Sequence, residues 1–389
     1  MGHIFYQPKE TQATMRVTVY QENLQKGLSI VSRAISSRPT LPILSNVIIS
    51  TEGQRLKLAA TSLDFGITCW IGANISEPGA VTVPGKLFSE LVNYLSQDRV
   101  ELELNPRTLT LNIRCGSNTG NVKGIDAAEF PIIPQADAEK GVAIPAALFK
   151  DMVRQVEFAA AKDDNRPVLT GILLRFQGDT LTMASADGYR LAVRTAKLDV
   201  KVDAPQDLIV PARFLNEVAR IISDEDEEVL ISVPEGRNQA MFHLRNVDIF
   251  ATLVEGNFPN YETIIPRNPS TITQVYTDEL LKACKRSAVF ARDVANAAKI
   301  IINKGENGLG RVLVTSKSQE KGDNQAVVDA SVEGNDLEIT FNIGFLQDIL
   351  GVIDETQLII ETGGSSLPGL FRPVGRDDFI HVIMPMANK

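Results

Sequence analysis

The chain's most constraining feature is a pair of amphipathic helical segments that returns three times. The first members are ENLQKGLSIVSRAI (about 22–35), AALFKDMVRQVEFAAA (about 146–161) and DELLKACKRSAVFA (about 278–291). Each places apolar residues at i, i+3, i+4 and i+7, as Leu24, Leu28, Val31 and Ile35 do in the first. The second members are GKLFSELVNYL (about 85–95), PARFLNEVARII (211–222) and IGFLQDILGVI (343–353). Starts are spaced by about 124 and 132 residues in one series and about 126 and 132 in the other, so both helices travel as one repeating unit. Two landmarks keep a similar step. Glu129-Phe130-Pro131 returns as Asn257-Phe258-Pro259, 128 residues on, and Thr61-Ser62-Leu63-Asp64 as Ala184-Ser185-Ala186-Asp187, 123 on.

Between the helices lie β-rich runs such as NVIISTEG, VELELN, GILLRF, EVLISV, RVLVTSK and LEITFN, punctuated by Gly, Asn and Asp. That pattern belongs to antiparallel sheet. The expected architecture is three α+β domains, at 15–137, 138–269 and 270–389, with linkers at IIPQADAEKG and IIPRNPST. Residues 1–14 precede a second methionine, Met15, and are expected to be an unstructured extension.

Composition narrows the function. No apolar run is long enough for a transmembrane helix, and the first residues lack a signal-peptide core, so a cytoplasmic protein without membrane partners is expected. Cys69, Cys115 and Cys284 are odd in number and far apart, which fits a reduced compartment. The net charge of −9 comes from 39 Lys+Arg against 48 Asp+Glu. The six helical segments with their flanks sum to +4, so the acid lies elsewhere. A positive inner surface within an acidic shell would attract a polyanion locally.

No catalytic constellation emerges. GAVTVPGKL has five residues rather than four between Gly79 and Gly85, and Leu87 where a phosphate loop needs Ser or Thr, so Gly85-Lys86 reads as a helix start. KGENGLGR lacks the strand-then-helix setting of a dinucleotide site. Asp163-Asp164 reads as a solvated loop, and the acidic run 224–228 as a turn between helix and strand. The three histidines, His3, His243 and His381, stand far from any cysteine at zinc-ligand spacing. No cofactor or metal is expected. An enzyme enclosing its substrate within three duplicated units would need a converging titratable cluster, and none is visible.

Four stretches are specific: Arg38-Pro39-Thr40-Leu41-Pro42-Ile43-Leu44, Ser185-Ala186-Asp187-Gly188-Tyr189-Arg190-Leu191-Ala192-Val193, Phe258-Pro259-Asn260-Tyr261, and Val382-Ile383-Met384-Pro385-Met386. In these, and in order from about Met15 to Met386, the chain resembles the bacterial DNA polymerase III β subunit family, the replicative sliding clamps. The resemblance implies a head-to-tail homodimer closing a ring, with helices lining the hole and antiparallel sheets on the rim. Double-stranded DNA would pass through it independently of sequence. The function implied is processivity in DNA replication: an accessory subunit tethering a DNA-directed DNA polymerase, with no catalytic site of its own. A paralogue with a special role, such as inhibitor tolerance, is the alternative.

The resemblance also implies sites. Arg38, Lys86, Lys162, Arg166 and Arg213 are the expected DNA contacts. A peptide groove, docking the replicative polymerase, the clamp loader and repair proteins, would comprise Leu169, Ala186, Gly188, Tyr189, Arg190, Leu191, Pro259, Ile264, Ser366, Val382, Met384, Pro385 and Met386, with Arg190 orienting polar groups at its rim. The family more often has Thr or Ser at Ala186, His at Tyr189, and basic residues at Glu262-Thr263, so peptide preference here would differ. Ring closure is expected at edge strands near Asn121–Ile125 and Ala326–Ser331, through Asn121, Val122, Ile125, Val327 and Val328, backed by Phe290.

Overall fold

The computed structural model describes residues 14–36, 39–134, 141–163, 165–234, 236–306 and 309–387. The chain opens with β1 (Arg16–Tyr20), α1 (Gln21–Val31), β2 (Asn46–Glu52), β3 (Arg55–Thr61), β4 (Phe65–Gly72), β5 (Asn74–Glu77) and β6 (Ala80–Pro84). Then come α2 (Gly85–Asn93), β7 (Arg99–Asn105), β8 (Thr110–Cys115), β9 (Asn118–Lys123) and β10 (Val142–Pro145). The middle holds α3 (Ala146–Val156), β11 (Gly171–Ala186), β12 (Arg190–Pro211), α4 (Ala212–Ile221), β13 (Glu228–Ser232), β14 (Gln239–Leu244) and β15 (Val247–Thr252). The last part holds β16 (Thr271–Tyr276), α5 (Thr277–Ala291), β17 (Ala297–Asn303), β18 (Leu309–Ser318), β19 (Gly322–Gly334) and β20 (Leu337–Asn342). It ends with α6 (Ile343–Leu350), β21 (Gln357–Thr362), β22 (Gly369–Pro373) and β23 (Phe379–Ile383). Among the described residues no helix is long and apolar enough to cross a membrane.

Proline sets three of the helix starts. Pro84-Gly85, Pro145-Ala146 and Pro211-Ala212 each end an extended segment and open a helix. At the first of these the residue after the proline has room only for glycine: a Cβ on Gly85 would stand 2.4 Å from Ile35 Cδ1 and 2.8 Å from Val47 Cγ2. Gly85-Lys86 thus begins a helix, as the sequence suggests. α6 starts differently, with the Asn342 side chain accepting from Gly344 N at 2.9 Å. The helices stop short of the apolar pattern. α1 ends at Val31, and Ile35 lies beyond it in extended backbone.

The chain forms two compact units, one running to Ala143 and taking in Ile221–Thr252, the other made of Ile144–Arg220 and the residues from Leu253 onward. These units cut across the sequence repeat because sheets join neighbouring repeats. In the first unit β15 pairs antiparallel with β4, within the order β13-β14-β15-β4-β3-β2-β6. A second sheet there runs β5-β1-β7-β8-β9. Its strands alternate as the sequence requires: Val100, Leu102 and Leu104 of β7 are buried, while Glu101 and Glu103 face out. In the second unit one ten-stranded sheet runs β11-β12-β23-β22-β21-β16-β19-β18-β17-β20, joined where β12 pairs with β23. Its main core sets Leu280 and Cys284 of α5 and Leu346 and Ile349 of α6 against Ile300, Val314, Phe341 and Phe371.

The charge partition changes once elements are known. Among the described residues the six helices carry only +2, because Lys299 lies on β17, Lys304 follows it, and Arg33 and Arg38 fall outside α1. The acidic run near Asp224 forms the turn between α4 and β13, as expected.

Candidate functional site: a groove at the C-terminal tail

The site is built on the β11–β12 hairpin. Asp187 holds its turn: its Oδ1 accepts from Tyr189 N at 2.9 Å and Arg190 N at 3.0 Å. Gly188 adopts φ +91°, and the Arg166 guanidinium nitrogens stand 2.8 Å from where a Cβ would be. Glycine meets this left-handed backbone without strain, and a side chain here would have to displace the exposed Arg166 guanidinium.

Arg190 is the foundation of the groove rather than a rim residue. Its side chain is 5% exposed, whereas the expectation set it to orient polar groups at the rim of the groove. Nε donates to Asp187 Oδ2 at 3.0 Å, and the terminal nitrogens donate to Asp348 and to the Phe158 carbonyl. Its guanidinium carbon lies 4.2 Å from the Phe345 ring centroid and 5.5 Å from that of Phe158. Three acceptors and two rings surround a group that the sequence motif alone shows only as a cation. Beside it His381 is fully buried against Phe158, with no hydrogen-bond partner for either ring nitrogen among the described residues. Burial, and after it the Arg190 cation, push this imidazole down to about 3, so it is neutral at physiological pH.

The tail after β23 completes the groove. Met384 N donates to Tyr189 O at 2.8 Å, and Met386 N to Thr340 O at 2.8 Å, fixing Met384–Met386 along the hairpin tip and β20. Here lies a cavity of about 1400 Å³ lined by Tyr189, Asn342, Phe345, Met384, Pro385, Met386 and Ala387, and extending over β17 and β18. Tyr189 is 64% and Met384 40% exposed, large apolar surfaces facing solvent at its mouth. Ala387 lies along the cavity, while Asn388 and Lys389 are outside the described residues.

Of the expected groove residues, Tyr189, Met384, Pro385 and Met386 line this cavity together. Leu191 and Val382 are buried beneath, in an apolar cluster with Leu173, Tyr261 and Leu370 against which Ala186 packs. Leu169 is buried, and Pro259 and Ser366 are exposed. Ile264, 43% exposed, lines a separate cavity of about 660 Å³ with Leu367 and Pro368. Asn342, Phe345 and Thr340 were not foreseen. Their signal was Asn342 at the start of the third repeat's second helix, which puts Phe345 one turn along.

Arg38 lies outside the described residues. Lys86 is exposed at the start of α2, and Arg213 is exposed on α4 with its guanidinium 4.5 Å from the Phe214 ring centroid. Lys162 and Arg166 are exposed on the loop between α3 and β11. Asn121 and Val122 lie on β9, the edge of the five-stranded sheet, while Ile125 N bonds to Thr82 O at 2.9 Å. Val327 is 48% exposed and Val328 buried on β19. That strand is an edge only in part: Ala330 and Ser331 pair with both β16 and β18, so the unpaired stretch ends at Asp329. Phe290 is half-buried near the end of α5, next to Val289, which is 53% exposed.

The cysteines and metal-ligating residue types are dispersed among the described residues. No group of three or more His, Cys, Asp and Glu is placed to hold a metal there. Burial pushes the Cys69 thiol up to about 11 and the Cys284 thiol up to about 12, far from a reactive thiolate.

Comparison with known proteins accounts for this architecture. Profiles of the DNA polymerase III beta subunit match in succession: the N-terminal domain over 15–134, the central domain over 143–260 and the C-terminal domain over 262–387. The beta sliding clamp of Bacillus subtilis is 30% identical over 384 residues, covering 96% of this chain and 100% of that one. That of Synechococcus elongatus is 31% identical, covering 96% and 99%. The crystal structure of the Bacillus subtilis clamp superposes with a TM-score of 0.91 at 29% identity over 96% of this chain and 100% of that one. The Pseudomonas aeruginosa β subunit gives 0.88 at 27%, over the same shares. Three consecutive domain matches and relatives similar over their full length converge: the chain belongs to the DNA polymerase III β subunit family, the sliding clamps.

Proposed function

We propose that two copies of the chain close head to tail into a ring around duplex DNA, and that the groove at Tyr189 and Met384–Met386 docks short segments of the polymerase, the clamp loader and repair proteins. The reading rests first on two open strand edges, β9 and the stretch of β19 up to Asp329. Such edges invite pairing with another chain unless something covers them. Their charges are complementary, Lys123 ending one edge and Asp323 and Asp329 flanking the other. Pairing β9 of one copy with β19 of the next makes a heterologous contact that closes after two subunits, with Val122, Val327 and Phe290 at the joint.

DNA would be held by enclosure. Lys86, Lys162, Arg166 and Arg213 supply scattered phosphate contacts without base readout, which suits sliding. Opening the ring is work for an energy-supplying partner. In the groove, the methionines adapt to varied partner side chains, and the hairpin anchored by Arg190 gives them a firm wall.

The test is topological. Clamp assembled by a clamp loader onto a nicked circular plasmid is passed through gel filtration at high salt, before and after the plasmid is cut. Enclosure predicts co-elution with the circle and loss from the linear form; equal loss from both would refute the ring.

A further inference from the structure

The hairpin-and-strand scaffold of the groove exists twice. In the second unit, Asp187 N donates to Arg190 O at 3.3 Å across the β11–β12 turn, and Met384 N to Tyr189 O at 2.8 Å. In the first unit, Ser62 N donates to Phe65 O at 2.9 Å across the β3–β4 turn, and Thr252 N to Asp64 O at 2.7 Å. Leu63 takes φ +77° where Gly188 takes +91°. The backbone thus aligns Leu63 with Gly188, two residues away from the match that the sequence landmarks suggest.

Around this second scaffold lie two cavities, of about 670 and 390 Å³, that share Pro131, Ile132, Pro134 and Arg237. Ile132 is 96% and Leu63 46% exposed, an apolar ridge and turn on either side of a trough. The buried Phe250 ring lies beneath, filling the space that Gly66 leaves open. Neither lining contains an acid in a chain whose net charge is −9. Of the two lining cations, Lys57 is held by Glu52 at 3.1 Å, whereas Arg237 is exposed without an acidic partner among the described residues. Asp64 is exposed at the turn tip but does not line the trough.

We propose that this trough is a second docking groove, taking an extended segment of a partner protein that presents apolar side chains to Leu63 and Ile132 and a carboxylate to Arg237. An extended peptide sends alternate side chains to opposite faces, which suits a trough that mixes apolar and polar lining with one uncommitted cation. The occupant is acidic because the trough's one uncommitted charge is positive.

The probe is a fluorescein-labelled pentapeptide, Glu-Leu-Asp-Leu-Phe, titrated by polarisation against the full chain. Ile132→Asp is expected to weaken one class of site at least tenfold and lower the stoichiometry by one peptide per chain. Arg237→Glu should weaken the same class about five- to tenfold, more at low salt than at high. Both side chains are exposed, so unchanged melting curves check that the variants fold. The result is read from what Ile132→Asp removes, and so does not depend on whether the Met384–Met386 groove binds the probe. Binding unaffected by Ile132→Asp, or no binding at all, would overturn the proposal. A lower solution mass in Ile132→Asp with unchanged peptide stoichiometry would do so too, assigning the trough to a contact between copies of the chain.

Discussion

Gly188 and His381 show how much of the groove depends on single residues. Ala at 188 would have to adopt φ +91° while pushing the Arg166 guanidinium aside. The left-handed backbone alone costs about 1–2 kcal/mol for a non-glycine residue. Gly188→Ala should therefore lower denaturant-measured stability by about that much and weaken peptide capture at Met384. Unchanged values on both counts would mean that the turn tolerates a side chain. His381 contributes a pH dependence. Its imidazole is held down to about 3 when folded, against an ordinary value of 6.5. Between these values the unfolded chain binds one more proton than the folded one. The stability present above pH 6.5 is therefore lost as pH falls towards 3, at up to about 1.4 kcal/mol per pH unit. His381→Leu should make the fall in melting temperature between pH 6 and 4 shallower than in the unsubstituted chain; parallel curves would remove His381 from this account.

At the scale of elements, Arg190 joins the β11–β12 hairpin to α6 and to the segment holding Phe158. Replacing it by Met keeps its bulk but strips three hydrogen bonds from charged and carbonyl partners, one of them the Phe158 carbonyl. Hydrogen bonds involving charged groups are worth about 1.5–3 kcal/mol each, so Arg190→Met should cost several kcal/mol in a urea melt. A loss below about 1 kcal/mol would show that the two rings, not the hydrogen bonds, hold the segment. The sequence made much of this scale legible. Helix periodicity located the six α-helices of the described residues, and Gly85-Lys86 marked one of their starts. Asp187-Gly188 announced its turn, and the apolar tail announced the strand that pairs with it. Less legible was whatever depends on partners distant in sequence. Arg190 reads as a surface cation until Asp348, Phe345 and Phe158 are seen around it. Ala330 and Ser331 read as edge until β16 is seen beside them. The match of Thr61–Asp64 to Ala184–Asp187 followed residue likeness, whereas the turn hydrogen bonds place the true correspondence two residues along.

For the whole molecule, the proposed ring makes enclosure the working principle, with the free edges of β9 and of β19 up to Asp329 as its joint. In that proposal stability and function share one joint, since an unpaired β9 or β19 would leave both an exposed edge and an open ring. A charge placed in that joint should act on assembly and not on folding. Val327 is half-exposed in the single chain, so Val327→Glu should leave the melt of the isolated chain nearly unchanged while weakening association tenfold or more. Sedimentation velocity across a dilution series would show it, and an association constant equal to that of the unsubstituted chain would place the joint elsewhere. The most direct measurement is the solution mass of the unsubstituted chain by light scattering at low micromolar concentration. A closed two-chain ring predicts a single species of about twice the 42.5 kDa chain mass, with nothing larger. A stable species at the mass of one chain, persisting as concentration rises, would contradict the ring.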